Sequence, residues 1–196
     1  MHREGDASRH TPAQDMFQGI SLRPHVVPIR NLITATHAQT ILDYGSGKGM
    51  LYHLRPFHLE GHAETWESVS DYWDVDYVAC YDPSYAPFSL LPQGPFDGVI
   101  CTDVLEHCPE EDLDWIVGEL FGYANKFVFA SIAGYPAMKT LPSGENAHCT
   151  VQPLAWWNAL FQRHAGDNGA LWMVRYYERN ATDQALTVRE FGSAQA

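Results

Sequence analysis

The stretch Thr40-Ile41-Leu42-Asp43-Tyr44-Gly45-Ser46-Gly47-Lys48-Gly49 constrains this chain more than any other, because an apolar run breaks into three glycines at alternate positions. The run predicts a buried strand over 39–44. Glycine carries no Cβ, so Gly45, Gly47 and Gly49 can adopt positive φ and bring bare backbone close to a ligand. Asp43 adds a carboxylate at the strand end. This is the shape of a cofactor loop, although an ordinary tight strand-to-helix turn would use the same glycines.

Two further segments repeat the pattern of an apolar strand ending in polar groups. Tyr77-Val78-Ala79-Cys80-Tyr81-Asp82 predicts a second buried strand closed by an acid, a position from which a carboxylate can accept both hydroxyls of a ribose. Phe96-Asp97-Gly98-Val99-Ile100-Cys101-Thr102-Asp103-Val104-Leu105-Glu106-His107 predicts a third strand and a polar turn. The helix expected from Pro109 to about Tyr123 opens with Glu110, Glu111 and Asp112, where the helix dipole favours anions, and buries Leu113, Ile116, Val117 and Leu120. Lys126 to Ile132 is the next parallel strand.

Together these residues resemble the class I S-adenosylmethionine-dependent methyltransferases, in particular small enzymes whose fourth-strand region reads Phe-Asp-x-Val followed by Leu-Glu-His. The likeness covers roughly residues 25–135. It implies an α/β, doubly wound, mostly parallel Rossmann-like sheet with S-adenosylmethionine as cofactor. It assigns the methionine end of the cofactor to Asp43, Gly45, Ser46, Gly47 and Gly49, and the ribose to Asp82 and Pro83. The adenine and reaction centre fall to Thr102, Asp103, Val104 and either Glu106 or His107. The chain departs from the family after Asp82. Only Pro83 to Pro95, broken by four prolines, separates the second strand from the Phe96 strand, which leaves no room for a helix, a strand and another helix. The third strand is therefore expected to be reduced or missing, with Tyr85 or Phe88 covering the shortened edge.

The 196 residues suit one α/β domain, residues 16–196, preceded by a polar tail over 1–15. Net charge is −12, so the average surface field repels phosphate backbones and anionic membranes, and neither nucleic acid nor membrane is an expected partner. Residues 57–76 hold six acids, and no lysine or arginine occurs between Arg55 and Lys126. That concentration would suit a cationic sulfonium and equally suits a solvated acidic face. Cys80, Cys101, Cys108 and Cys149 show no paired metal spacing and read as reduced; with no apolar leader at Met1–Asp6, a cytoplasmic protein is expected. Asn180-Ala181-Thr182 matches a glycosylation sequon, without meaning on that reading. His53, His58 and His62 lack accompanying cysteines or paired acids, and no metal ion is expected.

Around these segments the reading is simpler. Ile29, Leu32 and Ile33 predict a helix over 28–37, and a second helix is expected to leave the glycine loop with Met50, Leu51 and Leu54 buried and Pro56 as its stop. Gln152 to Phe161 predicts a helix burying Leu154, Trp157, Leu160 and Phe161. The runs Leu171–Tyr177 and Ala185–Phe191 predict a terminal antiparallel hairpin. The loop Ala133 to His148 follows a parallel strand and is the candidate substrate lid. There Tyr135 and His148 are the candidate catalytic groups, with His148 as a general base, and Lys139 and Asn146 could orient an acceptor; Trp156 is left to a lid contact or an interface. His107 competes with His148 for the base role.

The expected activity is transfer of the sulfonium methyl to an oxygen or nitrogen of a small polar acceptor, a sugar or metabolite intermediate. Two other classes stay open. One is a non-catalytic module that binds the cofactor or only keeps the fold. The other is a nucleic-acid or protein methyltransferase, although the chain lacks a basic track and an Asn-Pro-Pro-Tyr-like motif. A nicotinamide enzyme is disfavoured, since the loop lacks the Gly-x-Gly-x-x-Gly spacing.

Overall fold

The computed structural model describes residues 18–141, 143–166, 169–180 and 184–194. The expected tail over 1–15, and Ala181 and Thr182 of the sequon, lie outside them. The chain is α/β with mostly parallel strands and gathers into two compact units that meet in sequence at Gln93 and Gly94.

In the first unit, helix α1 (Val26–Thr36) buries Val26, Ile29, Leu32 and Ile33 and ends at His37 in the left-handed region. Strand β1 (Thr40–Tyr44) follows, buried from Ile41 onward. The short antiparallel pair β2 (Phe57–His58) and β3 (Thr65–Trp66) leads into helix α2 (Val69–Trp73). Ser68 caps α2 by accepting the Asp71 N–H at 3.0 Å. Strand β4 (Tyr77–Tyr81) then pairs parallel with β1, setting Asp43 opposite Cys80 and Tyr44 opposite Tyr81.

The acidic, aromatic stretch over 57–76 divides by chemistry. Phe57, Trp66 and Tyr72 pack together, with Trp66 and Tyr72 rings 4.7 Å apart, and the Trp73 indole N–H donates to Val26 O at 2.9 Å. All six acids are exposed, which makes this a solvated face. The helix expected after the glycine loop is only a 3-10 turn, Met50–His53. Leu51 is buried, but Met50 and Leu54 are exposed. Six residues between a left-handed Gly49 and Pro56 cannot complete two helical turns.

Residues 83–95 contain one 3-10 turn, Ala86–Phe88, and no strand. The segment folds back so that Asp82 N–H donates to Phe88 O at 2.9 Å. Phe88 thereby lines the outer side of β4, as expected for a sheet without its third strand.

The second unit is built from right-sized strand–helix–strand repeats. Strand β5 (Phe96–Thr102) pairs parallel with β6 (Ala124–Ala133) across helix α3 (Glu110–Tyr123), whose buried stripe is Leu113, Ile116, Val117, Leu120 and Phe121. Helix α4 (Leu154–His164) carries the chain to β7 (Leu171–Arg179), parallel to β6. It buries Trp157, Leu160 and Phe161 but leaves Leu154 half-buried. The expected hairpin is present, β8 (Leu186–Gly192) running antiparallel to β7. Thr102 sits opposite Ser131, so the turn after β5 and the loop after β6 leave from one end of the unit's sheet. No described helix is long and apolar enough to cross a membrane.

Candidate functional site

The predicted residues fall into one group in each unit. In the first, Gly45, Gly47 and Gly49 have φ of 83°, 58° and 57°, the left-handed region where a side chain is strained. Space at Gly49 is short as well: a Cβ there would lie 3.1 Å from Cys80 Sγ and 3.4 Å from Phe88 and Tyr52. The loop's amides largely hold the loop itself. Gly45 and Ser46 both donate to Tyr81 O, Gly49 donates to Ser46 O, and Gly47 donates to Asp82 Oδ2 at 2.9 Å. Asp82 Oδ1 accepts the N–H of Ser84 at 2.8 Å, while Pro83 is exposed beside it.

The two strand-end acids are thus neighbours on parallel strands, and both are buried. Burial pushes Asp43 up to about 7, opposed by the Tyr52 hydroxyl, which donates to Asp43 Oδ2 at 2.8 Å, and reinforced by Asp82. Burial, and then Asp43, raises the Cys80 thiol to about 12, so it is a small apolar group here. A cavity of about 440 Å³ lies along β4, lined by Tyr52, Tyr77, Val78, Cys80, Phe88 and Leu90 among others. That is within the range of small-ligand sites. Tyr52 was not anticipated from sequence; no spacing rule links a tyrosine in a 3-10 turn to an acid nine residues earlier.

In the second unit, Thr102 is buried at the end of β5, and Asp103 follows at φ 59°, unusual for a side-chain-bearing residue. Its N–H donates to Ser131 Oγ at 3.1 Å and to Ser131 O at 3.3 Å, which fixes the turn to β6. Val104 is half-buried and leads into a 3-10 turn, Leu105–His107. Glu106 points inward, fully buried, its Oε1 accepting the N–H of Ala133 at 2.7 Å; burial and then Asp103 push it up to about 8. Ser131 and Glu106 carry more of this turn than the sequence suggested. A hydroxyl at a strand's C-terminal end was the available signal for Ser131.

The loop after β6 returns to that turn. Thr150 N–H donates to Glu106 O at 3.1 Å, Thr150 Oγ1 donates to Cys108 O at 2.7 Å, and His148 comes to rest beside His107 with ring centroids 4.8 Å apart. His148 Nδ1 lies 2.6 Å from Tyr135 O, and His107 Nδ1 lies 2.7 Å from Ala147 O. Burial, and then His107, lowers His148 below the ordinary imidazole value, although the Tyr135 carbonyl works the other way. The ring is therefore neutral near pH 7.

The remaining lid residues divide. Asn146, expected to meet an acceptor, staples the loop instead: Oδ1 accepts from Ala137 and His148 N–H, and Nδ2 donates to Ala137 O. A short side chain flanked by loop backbone satisfies local groups first. Tyr135 has the Arg179 guanidinium 4.6 Å above its ring. Lys139 is half-buried and lends its carbonyl to Ala147, and Trp156 is half-buried with its ring 5.0 Å from that of Trp157. Of the predicted set, Asp103, His107, His148 and Tyr135 come together in this unit. Comparison with protein-family models, curated proteins and solved structures gave no match.

Proposed function

We propose that this protein is an S-adenosylmethionine-dependent methyltransferase with a Rossmann-like fold, acting on an oxygen or nitrogen of a small polar molecule. One observation carries the reading: three left-handed glycines follow β1, and the middle one, Gly47, donates directly to Asp82, the acid just after the adjacent parallel strand. That arrangement sets a tight turn and two carboxylates where a nucleoside with an amino-acid tail could be held. The cavity along β4 supports a place for a planar base against Phe88 and Tyr52.

The reading gives the second unit the acceptor. Asp103 and Tyr135 follow the C-terminal ends of parallel strands, and His148 lies in the loop after β6, where loops carry function in sheets of this kind. Transfer to an amine needs mainly proximity and orientation, and transfer to a hydroxyl also needs loss of its proton. The net charge of −12 weighs against nucleic-acid substrates. Four free cysteines suit the reducing cytoplasm.

Calorimetric titration with S-adenosylmethionine and its demethylated product tests the reading. Binding of both, lost in Asp82→Ala but retained by a correctly folded Lys139→Ala control, is expected. Folded protein that binds neither would overturn it. Binding without methyl transfer to any screened amine or alcohol would favour the non-catalytic module, a reading to which the internally bonded loop amides also lend weight.

A further inference from the structure

We propose that Asp103, His107 and His148 bind a divalent transition-metal ion, zinc or a close analogue, and that the ion holds the acceptor oxygen during methyl transfer. The second half rests on the methyltransferase reading; the metal site does not.

A carboxylate oxygen of Asp103 and one ring nitrogen from each histidine all lie within 4.8 Å of one another. Two imidazoles and a carboxylate form a donor set suited to first-row divalent ions, and three protein ligands leave coordination positions open. Distance alone would be weak, since exposed polar groups often cluster. The hydrogen bonds behind the rings are more specific. A carbonyl oxygen can only accept, so His107 Nδ1 must carry the hydrogen that meets Ala147 O, and His148 Nδ1 the one that meets Tyr135 O. Both rings are thereby fixed in one tautomer with a bare Nε2, the arrangement by which backbone carbonyls orient metal-binding histidines.

The surroundings are built to keep this set together. Asp103 is held at positive φ by two acceptors on Ser131, and His148 N–H is held by Asn146 Oδ1. Glu106 adds a fully buried carboxyl in the same turn, whose Oε2 has no hydrogen-bond partner among the described residues. A buried carboxyl oxygen without a partner carries a desolvation cost that a further donor or a cation in the same turn would offset.

With an acceptor hydroxyl on an open position, the ion would lower its pKa and its proton would pass to water. The oxygen then forms its bond to the methyl carbon as the carbon–sulfur bond breaks, the electron pair returning to sulfur as a neutral thioether.

The test uses untagged, full-length protein stripped with EDTA and titrated with Co2+ without S-adenosylmethionine, read by visible absorption and by competition with Zn2+. One equivalent with a d–d band is expected. His107→Ala, His148→Ala and Asp103→Asn should each weaken binding by about tenfold or more, with thermal melts confirming that each variant folds. No band and no zinc retained on gel filtration, or binding indifferent to all three substitutions in folded protein, would overturn the site. S-adenosylmethionine binding by metal-free protein is measured in parallel. Cofactor binding without metal binding discards this site alone. Metal binding without cofactor binding keeps the site and discards its role in methyl transfer.

Discussion

Gly47 donates its amide hydrogen to Asp82 Oδ2 at 2.9 Å, across 35 residues, and so ties the loop after β1 to the acid after β4. Both groups are buried, so water cannot replace either one cheaply. Asp82→Ala leaves the Gly47 amide without its acceptor, whereas the Ser84 amide, in an exposed residue, can turn to water. A loss of about 1–3 kcal/mol is expected in urea unfolding. Asp82→Asn keeps one acceptor oxygen and should lose less.

Asp43 makes stability depend on pH in a definite direction. Its carboxyl is raised from 3.8 to about 7 in the folded state, so between those values the folded protein holds a proton that the unfolded chain has released. Stability should therefore fall as pH rises from 4 to 7, by at most about 4 kcal/mol from this group. Below 4 both states are protonated, and above 7 both are ionised, so the curve flattens at each end. Asp43→Asn removes the titration, and its stability relative to the parent should rise over that window. Tyr52→Phe removes the hydrogen bond that lowers Asp43, and should move the upper end of the window higher. Chemical denaturation at half-unit pH intervals measures both, and an unchanged slope in Asp43→Asn would refute the assignment.

Gly134 is required by Tyr176. A Cβ at residue 134 would lie 2.0 Å from the Tyr176 Cζ and hydroxyl, and that ring is buried, with its hydroxyl donating to Gln152 O at 2.8 Å. Gly134→Ala should destabilise by about 1–3 kcal/mol through overpacking. Tyr176→Ala relieves the clash, so the double variant should be more stable than the sum of the two single losses allows.

Asn146 holds the loop between β6 and α4 with three hydrogen bonds. Asn146→Ala should leave the sheet intact and free the loop, speeding amide exchange at Ala137 and His148 while the β6 amides stay protected. Hydrogen-exchange mass spectrometry separates the two segments. Equal exchange in both proteins would show that the backbone bridge between Thr140 and Asn146 suffices.

The cysteines should react in the order of their exposure. Cys149 is exposed and Cys101 fully buried, while burial raises the Cys80 and Cys108 thiols to about 12 and about 11. A thiol reagent at pH 8 is expected to modify Cys149 first, followed by mass spectrometry of tryptic peptides. Prior modification of Cys80 would contradict its burial beside Asp43.

Local pattern was sufficient for β1, β4, β5, β6, α1, α3 and the final hairpin, because apolar alternation, helical spacing and glycine or proline stops act over a few residues. The same locality made a reduced or missing third strand readable, since thirteen residues with four prolines leave no room for a helix, a strand and another helix. Spacing failed where two stops crowded a short segment, as at Met50–Leu54, where an expected helix shrank to a 3-10 turn. It could not show that Asp43 is buried against Tyr52, because burial depends on which chain segments cover a strand end. Nor could it pair His107 with His148. Forty-one residues separate them, and their meeting rests on Thr150 bonding back to Glu106 and Cys108, and on Asn146 closing the loop. Residue types and their order thus determined which elements form. The protonation, tautomer and partners of the polar groups were set by the tertiary fold, because desolvation and hydrogen bonding depend on neighbours distant in sequence.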